Sequence, residues 1–239
     1  MARLSLGVDG THRDKVRRLF DKIAPRYDFI NDLQSFGLHR FWKRRLVAMA
    51  GAQPGTRALD VCCGTGDIAF ALAQSGAEVT GLDFSPPMLE IARCRQSAFP
   101  KAKLNFMSGD AMRLPFADAS FDVVSCGYGL RNLEDWRTGL REMHRVLRSG
   151  GRLLVLDFGK PDNRVWRAVY FAYLRFVVPV FGKLFCGDSA AYAYILKSLH
   201  AFPAQHGVDA ALRESGCESV GLKPLLGGVM AINYGEKGK

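Results

Sequence analysis

The chain lacks any run of about 20 apolar residues, the length a helix needs to cross a bilayer. Its opening stretch, MARLSLGVDG, is too short and polar for a secretory signal and lacks the Arg-rich, Ser-rich character of a transit segment. A cytoplasmic location is therefore expected, with peripheral contact at the inner face of a membrane left open. No Cys-x-x-Cys pair occurs among Cys62, Cys63, Cys94, Cys126, Cys186 and Cys217, and none has a histidine at zinc spacing. Free thiols in a reducing compartment are the expectation, and no metal is expected. Internal repeats and low-complexity stretches are missing. Acidic residues are in short supply: 23 Asp and Glu against 33 Lys and Arg leave a net charge of +10. Such an excess points to an anionic partner, whether nucleic acid, an acidic substrate or an anionic membrane surface.

What is present suffices for a core. Hydrophobic residues make up 48% of 239 residues, which suits one domain with modest additions. Residues 1–52 form a basic, helical segment. Val16, Leu19, Phe20 and Ile23 recur at i, i+3, i+4 and i+7, and Pro25 should end or kink that helix. HRFWKRRLVAMA is a second helix. Residues 53–239 form the main domain. ALDVC, EVTGLDFS, KLNFMSGD, FDVVSC and GRLLVLDF read as strands. DIAFALAQSG, PPMLEIARCRQSA and EDWRTGLREMHRVLRSGG read as helices between them, the last stopped by Gly150 and Gly151. Such alternation predicts an α/β fold, Rossmann-like, with a mostly parallel sheet. CESVGLKPLLGGVMAINYGEK predicts a closing antiparallel hairpin through Gly227 and Gly228. An apolar, aromatic insertion or lid near 162–187 lies between them. Its arginines and Pro179 argue against a membrane span.

The strongest local signal is LDVCCGTGDIAF, a strand, a glycine turn and a helix start. Gly64 and Gly66 allow the backbone close to a ligand, and the helix start offers free N–H groups. Asp83 ends the next strand at the offset of an acid that binds ribose hydroxyls. Asp110 and Ala111 follow the strand after that. Together these residues predict an adenosine site. A complete Gly-x-Gly-x-x-Gly is missing, since position 62 is cysteine and position 69 is alanine, and this disfavours a dinucleotide pyrophosphate. S-adenosyl-L-methionine carries a compact amino-acid tail instead, which Asp60 and the loop backbone can serve.

Beyond this turn, FDKIAPRYDFINDLQSFGLHRFWKR, YGLRNLED with REMHRVLRSGGRLLVLDFGKP, FGKLFCGDSAAYAYILKSLHAFP and GGVMAI together resemble the UbiE/MenG family of quinone C-methyltransferases over nearly the whole chain. The resemblance implies a class I methyltransferase fold with seven strands. It also implies methylation of demethylmenaquinol, or of the polyprenyl benzoquinol precursor of ubiquinone. Cofactor contacts then fall at Thr65, Asp83, Asp110 and Ala111. The family commonly has serine where Gly127 stands, so no side-chain hydroxyl is available there. The N-terminal segment would cover the substrate site, and the apolar lid would wall a polyprenyl tail near the bilayer interface.

A ring carbon that attacks a sulfonium methyl must be electron-rich, so the substrate should be the reduced quinol. Its hydroxyl resembles tyrosine, with a pKa of about 10. Arg131 and Asn132 follow the fourth strand and are candidates to hold the quinol oxygen. Arginine stays protonated, so it would steady the oxyanion and not act as base. Against this, Asn132 could cap the next helix, with Arg131 solvated. Tyr27, Asp28, Asn31 and His39 come from the N-terminal signature, with Tyr27 and His39 as further catalytic candidates. Two other readings compete. A base-amino methyltransferase would carry an Asp/Asn/Ser-Pro-Pro-Tyr/Phe motif after the fourth strand. This chain has CGYGLRN there and no nucleic-acid-binding module, so no nucleic acid is expected. A non-catalytic scaffold is disfavoured by the intact ligand turn. A homodimer stays open.

Overall fold

The inner strands are buried along much of their length because helices cover both faces of the sheet they build. The computed structural model describes residues 12–180 and 190–239. The strands are β1 (Arg57–Val61), β2 (Glu78–Asp83), β3 (Leu104–Ser108), β4 (Phe121–Gly127), β5 (Leu147–Phe158), β6 (Cys217–Leu225) and β7 (Met230–Lys237). They form one seven-stranded sheet in the order β3-β2-β1-β4-β5-β7-β6. The first five run parallel, whereas β7 pairs antiparallel with both β5 and β6. The predicted hairpin forms through Gly227 and Gly228, at φ +64° and +93°, and its second strand inserts beside β5. The strand order reverses between β1 and β4, the switch point at which open α/β sheets place ligands.

The helices are α1 (His12–Ile23), α2 (Tyr27–Ser35), α3 (Leu38–Ala50), α4 (Asp67–Gln74), α5 (Pro86–Gln96), α6 (Trp136–Val146), α7 (Arg164–Ala172), α8 (Ala190–Ala201) and α9 (Ala204–Glu214). Their ends obey local chemistry. Pro25 sits in the short 3-10 turn that closes α1. The Ser85 hydroxyl accepts from the Met88 N–H above the two prolines that open α5. Asp135 accepts from the Arg137 and Thr138 N–H groups and caps α6. The cap is therefore Asp135, not Asn132.

One boundary differs from expectation. α6 ends at Val146, and Gly150 and Gly151 do not stop it. Leu147 is fully buried and pairs with Phe121, and pairing resumes at Val123 with Arg152. The two glycines instead lie within β5, in an excursion where pairing lapses, Gly150 at φ +71°. The predicted lid is helical as α7 and continues into a π-turn at Tyr173–Val177. Its remainder, residues 181–187, and with it Cys186, lies outside the described residues. The other five cysteines are free thiols. No described helix is long and apolar enough to cross a membrane.

Two cores flank the sheet. One gathers Leu46, Phe70, Leu72, Leu89 and Tyr170 from α3, α4, α5 and α7. The other gathers Leu140, Met143, Val208 and Leu212 from α6 and α9. This packing fixes the strand ends, and the loops beyond them form the site.

Candidate active site

A cleft of about 750 Å³ opens where β1, β2, β3 and β4 end. Its floor is the turn after β1. The Cys63 N–H donates to the Leu82 carbonyl at 3.0 Å, and the Gly66 N–H donates to the Cys63 carbonyl at 2.9 Å, which folds the loop tightly. Gly64, at φ +54°, lines the cleft and donates its N–H to Asp83 Oδ2 at 2.8 Å. Asp83 Oδ1 accepts the Ser85 N–H at 2.9 Å. Asp83 is 5% exposed, and burial raises its pKa against these backbone donors. Asp110, whose Oδ1 accepts the Met112 N–H at 2.9 Å, and buried Ala111 line the same cleft. Gly127 lines it too, and a Cβ there would meet Ile68 Cδ1 at 2.4 Å.

The remaining residues expected at the cofactor are placed differently. Gly66 faces the core, where a Cβ would stand 2.8 Å from the Phe106 ring and 2.9 Å from that of Phe70, so its role is packing of the turn. Thr65 is buried and not among the lining residues. Its hydroxyl donates to Asp28 Oδ1 at 2.9 Å, and its carbonyl accepts from Arg95 at 2.9 Å. Arg95 and Lys43 both bond Asp67, at 2.7 and 2.8 Å. Burial would raise the Asp67 pKa, but these two cations hold it down to about 2. The cluster ties α2 and α3 to α4 and α5. Asp60 lies beneath the turn. Its Oδ1 accepts the Ser125 hydroxyl at 2.8 Å, and its buried Oδ2 has no partner. Burial pushes its pKa up to about 7.

A second cavity of about 530 Å³ adjoins the first, and Phe20, Tyr27 and Tyr128 line both. α1 and α2 supply seven of its twelve lining residues, among them Ile23 and Ile30; Phe158 and Ile195 add to its apolar wall. Arg131 lines it at 6% side-chain exposure, held from several directions. Its Nη1 donates to Asp157 Oδ1 at 2.8 Å and to the Tyr128 carbonyl at 2.7 Å, and its backbone N–H donates to Asp157 Oδ2 at 3.1 Å. The guanidinium lies 4.5 Å from the centre of the Phe158 ring. Arg131 is therefore buried and braced, not solvated. Four buried polar atoms of this cavity's lining residues lack partners: Arg131 Nε, Asn31 Nδ2, Tyr128 Oη and Tyr194 Oη. Burial raises the pKa of Tyr27, Tyr128 and Tyr194, so these phenols stay protonated. Asn132 faces the first cleft instead, with Nδ2 donated to the Tyr128 carbonyl at 2.9 Å and Oδ1 unpaired.

His39 is corrected. It is 3% exposed, lines neither cavity, and bonds through Nε2 to Asp32 Oδ1 at 2.8 Å. Arg40 clamps the same carboxylate, and burial lowers the His39 pKa. His39 fastens the turn between α2 and α3. Asp157, Tyr128 and Tyr194 were not singled out from the sequence. Asp157 closes an ordinary strand pattern, and only the tertiary structure brings Tyr194 across to Arg131.

The pattern of the ubiE/COQ5 methyltransferase family matches residues 8–237. The chain belongs to that family. The methyltransferase is 40% identical over 231 residues to the demethylmenaquinone methyltransferases of Staphylococcus aureus strains JH9 and Newman, covering 95% of each chain. Its fold is similar to that of a solved SAM-dependent methyltransferase from Aquifex aeolicus, with TM-score 0.60, 16% identity and coverage of 93% and 96% of the two chains. It is also similar to phosphoethanolamine N-methyltransferase 2 of Haemonchus contortus, solved with S-adenosyl-L-methionine. The TM-score there is 0.70 at 16% identity, over 99% of this chain and 62% of the other. The enzyme is thus an S-adenosyl-L-methionine-dependent methyltransferase of class I fold. The cleft suits that cofactor: Asp83 and Asp110 line it, a buried Asn132 Oδ1 stands in its wall without a partner, and Gly64 and Gly127 keep the rim free of side chains.

Proposed function

We propose that the enzyme methylates a ring carbon of a prenylated quinol, demethylmenaquinol in menaquinone biosynthesis. The single observation that carries this reading is the second cavity: an apolar chamber, lined by residues with four unpaired polar atoms, that shares a wall with the cofactor cleft. Apolar lining suits a fused ring and the start of a prenyl tail, and the unpaired groups suit the two ring oxygens. Its Staphylococcus relatives carry the name of this activity.

S-adenosyl-L-methionine supplies an electrophilic methyl group when bound. Asp83 and Asp110 would hold the ribose and base side, and Asp60, beneath the turn, would offer its carboxylate to the ammonium. Arg131 steadies the charge that grows on the quinol oxygen as density moves to the ring carbon. Asp157 keeps the guanidinium in place, so the cation is oriented before substrate arrives. Tyr27 and Tyr128, protonated and set between the cavities, position the ring against the cofactor. α1 and α2 cover the substrate and exclude water. The protein works as a peripheral enzyme at the inner face of an anionic membrane, where a prenylated substrate resides.

The testing experiment is redox-controlled turnover. Dithionite-reduced, short-tailed demethylmenaquinone should be methylated under anaerobic conditions, and the oxidised form should not. Equal rates with both forms would defeat the carbon-nucleophile mechanism.

A further inference from the structure

α7 and its π-turn are apolar on two sides. Tyr170, Leu174 and Val178, spaced four apart, are 4%, 4% and 1% exposed and face the core. The opposite side presents Val165, Val169, Phe176 and Val180 to solvent at 52–75% exposure. A second exposed apolar set, Phe36 and Phe41, surrounds the turn from α2 to α3 at 75% and 58%. The Tyr173 hydroxyl donates to the Gln34 carbonyl at 3.0 Å. Phe36 lies two residues beyond Gln34 and Phe176 three beyond Tyr173, so that bond ties the segment that carries Phe176 to the one that carries Phe36. Gln34 also lines the second cavity. Single exposed apolar residues are ordinary, but two adjoining sets beside a substrate cavity mark an interaction surface.

The charge around these residues names the partner. Between Tyr27 and Ala50, four Lys and Arg stand against two Asp. Between Arg164 and Val180 there are three arginines and no acid. Among the described residues, Arg164, Arg167, Arg44 and Arg45 enter no ion pair. Arg175 lies over the Phe176 ring, 5.5 Å from its centre. Aromatic and aliphatic side chains interleaved with uncompensated arginine fit the headgroup region of an anionic bilayer, where the apolar groups enter the acyl boundary and the cations meet lipid phosphate.

We propose that the outer face of α7 and the α2–α3 turn form the surface by which this enzyme sits on an anionic lipid bilayer, with the second cavity at the edge of the contact. This deepens, and rests on, the reading of a lipid quinol as substrate. A prenyl tail then passes from the bilayer into the cavity beneath α2 without crossing water.

The test floats the intact enzyme with vesicles of phosphatidylcholine, with and without phosphatidylglycerol. Partition should be at least about tenfold stronger with the anionic lipid and should weaken with salt. Trp166, 38% exposed beside Val165 with its indole N–H on the Leu226 carbonyl, should be quenched by brominated acyl chains, whereas buried Trp42 should not. The double variant Phe36→Ser/Phe176→Ser should lose partition by about tenfold or more. It should keep full turnover of a short-tailed, water-soluble quinol and lose turnover of a long-tailed quinol held in vesicles. Absence of flotation by the wild type, or unchanged flotation of the double variant, would overturn the proposal. So would a wild-type dimer that this variant dissociates while lipid binding persists, because the surface would then belong to a second copy of the chain. Failure of the short-tailed quinol to react would strike the substrate reading alone, whatever the vesicles show.

Discussion

In the cofactor cleft, both oxygens of Asp83 already accept main-chain N–H groups, and the turn that supplies one of them is tied back to β2. In the adjoining cavity, Arg131 is braced by Asp157 through side chain and backbone, yet four polar atoms of the lining residues have no partner. The first site is built mostly from consecutive strand ends and their loops, with Val16, Phe20 and Tyr27 closing one side. The second is assembled from α1, α2, α8 and the loop after β4, segments far apart in the chain. A site of local turns can be satisfied before its ligand binds. A site of converging side chains leaves more groups unpaired, four here against Asn132 Oδ1 and the shared Tyr128 Oη in the cleft, and these define the ligand.

The sharpest test of this contrast is Arg131→Ala. It removes the fixed cation and leaves Asp157 in the interior without its ion partner. Turnover should fall by about 10²–10³, and stability by about 3–5 kcal/mol. Cofactor affinity should change little. Arg131→Lys should restore part of the stability and less of the rate, because the planar fork is lost. Steady-state kinetics, thermal unfolding and cofactor titration read the three effects. Equal loss of cofactor binding and turnover would merge the two sites into one.

Asp83→Ala probes the other side. Losing a charge-assisted acceptor should weaken the cofactor by about ten- to a hundredfold. Once the enzyme is saturated with cofactor, kcat should recover most of its wild-type value. Calorimetric titration with unchanged affinity would remove Asp83 from the cofactor site.

Asp60 gives the contrast a pH dependence. Burial raises its pKa from 3.8 to about 7. The folded state then holds the proton more tightly than the unfolded chain does. This group therefore costs stability progressively as pH rises from about 4 to 7, by at most about 4 kcal/mol, with no further change above that. Cofactor affinity should rise across the same window, because the methionine ammonium pairs with the ionised carboxylate. Asp60→Asn should flatten both trends. An affinity independent of pH between 5 and 8 in the wild type would exclude Asp60 as the ammonium partner.

The smallest effect is expected at Gly127→Ala. The added methyl meets only the far end of Ile68, so stability should drop by about 1 kcal/mol and cofactor affinity by no more than a few-fold. Ile68→Val in the same chain should recover most of the loss, since it removes the colliding carbon. A failure of that rescue in thermal unfolding would mean that the rim, and not Ile68, resists the methyl group.

Much of the first site was legible in the sequence. Gly64, Asp83, Asp110 and Ala111 all line the cleft, because each lies at a fixed step beyond a strand and strand ends can be read from pattern. Thr65 and Gly66 belong to the same turn but face the N-terminal helices and the core. The sequence shows that the turn exists, but the direction of each side chain depends on what packs over it. The second site was half legible. Arg131 stands out by its place just past the fourth strand and Tyr27 by the N-terminal signature, yet His39, from the same signature as Tyr27, is a clamp on Asp32.

The sequence by itself determined the sheet, the closing hairpin, the glycine turn and the acids at the strand ends, because these follow from periodicity and from backbone conformations that few residues adopt. It also determined the excess of positive charge. Only the tertiary structure decided that Arg131 is buried against Asp157, that Tyr27 and Tyr128 stand between two cavities, and that one side of α7 stays in solvent. Those facts depend on contacts between segments up to 139 residues apart, as in the bond from Tyr173 to Gln34. No local pattern encodes them, because burial is a property of the packed whole.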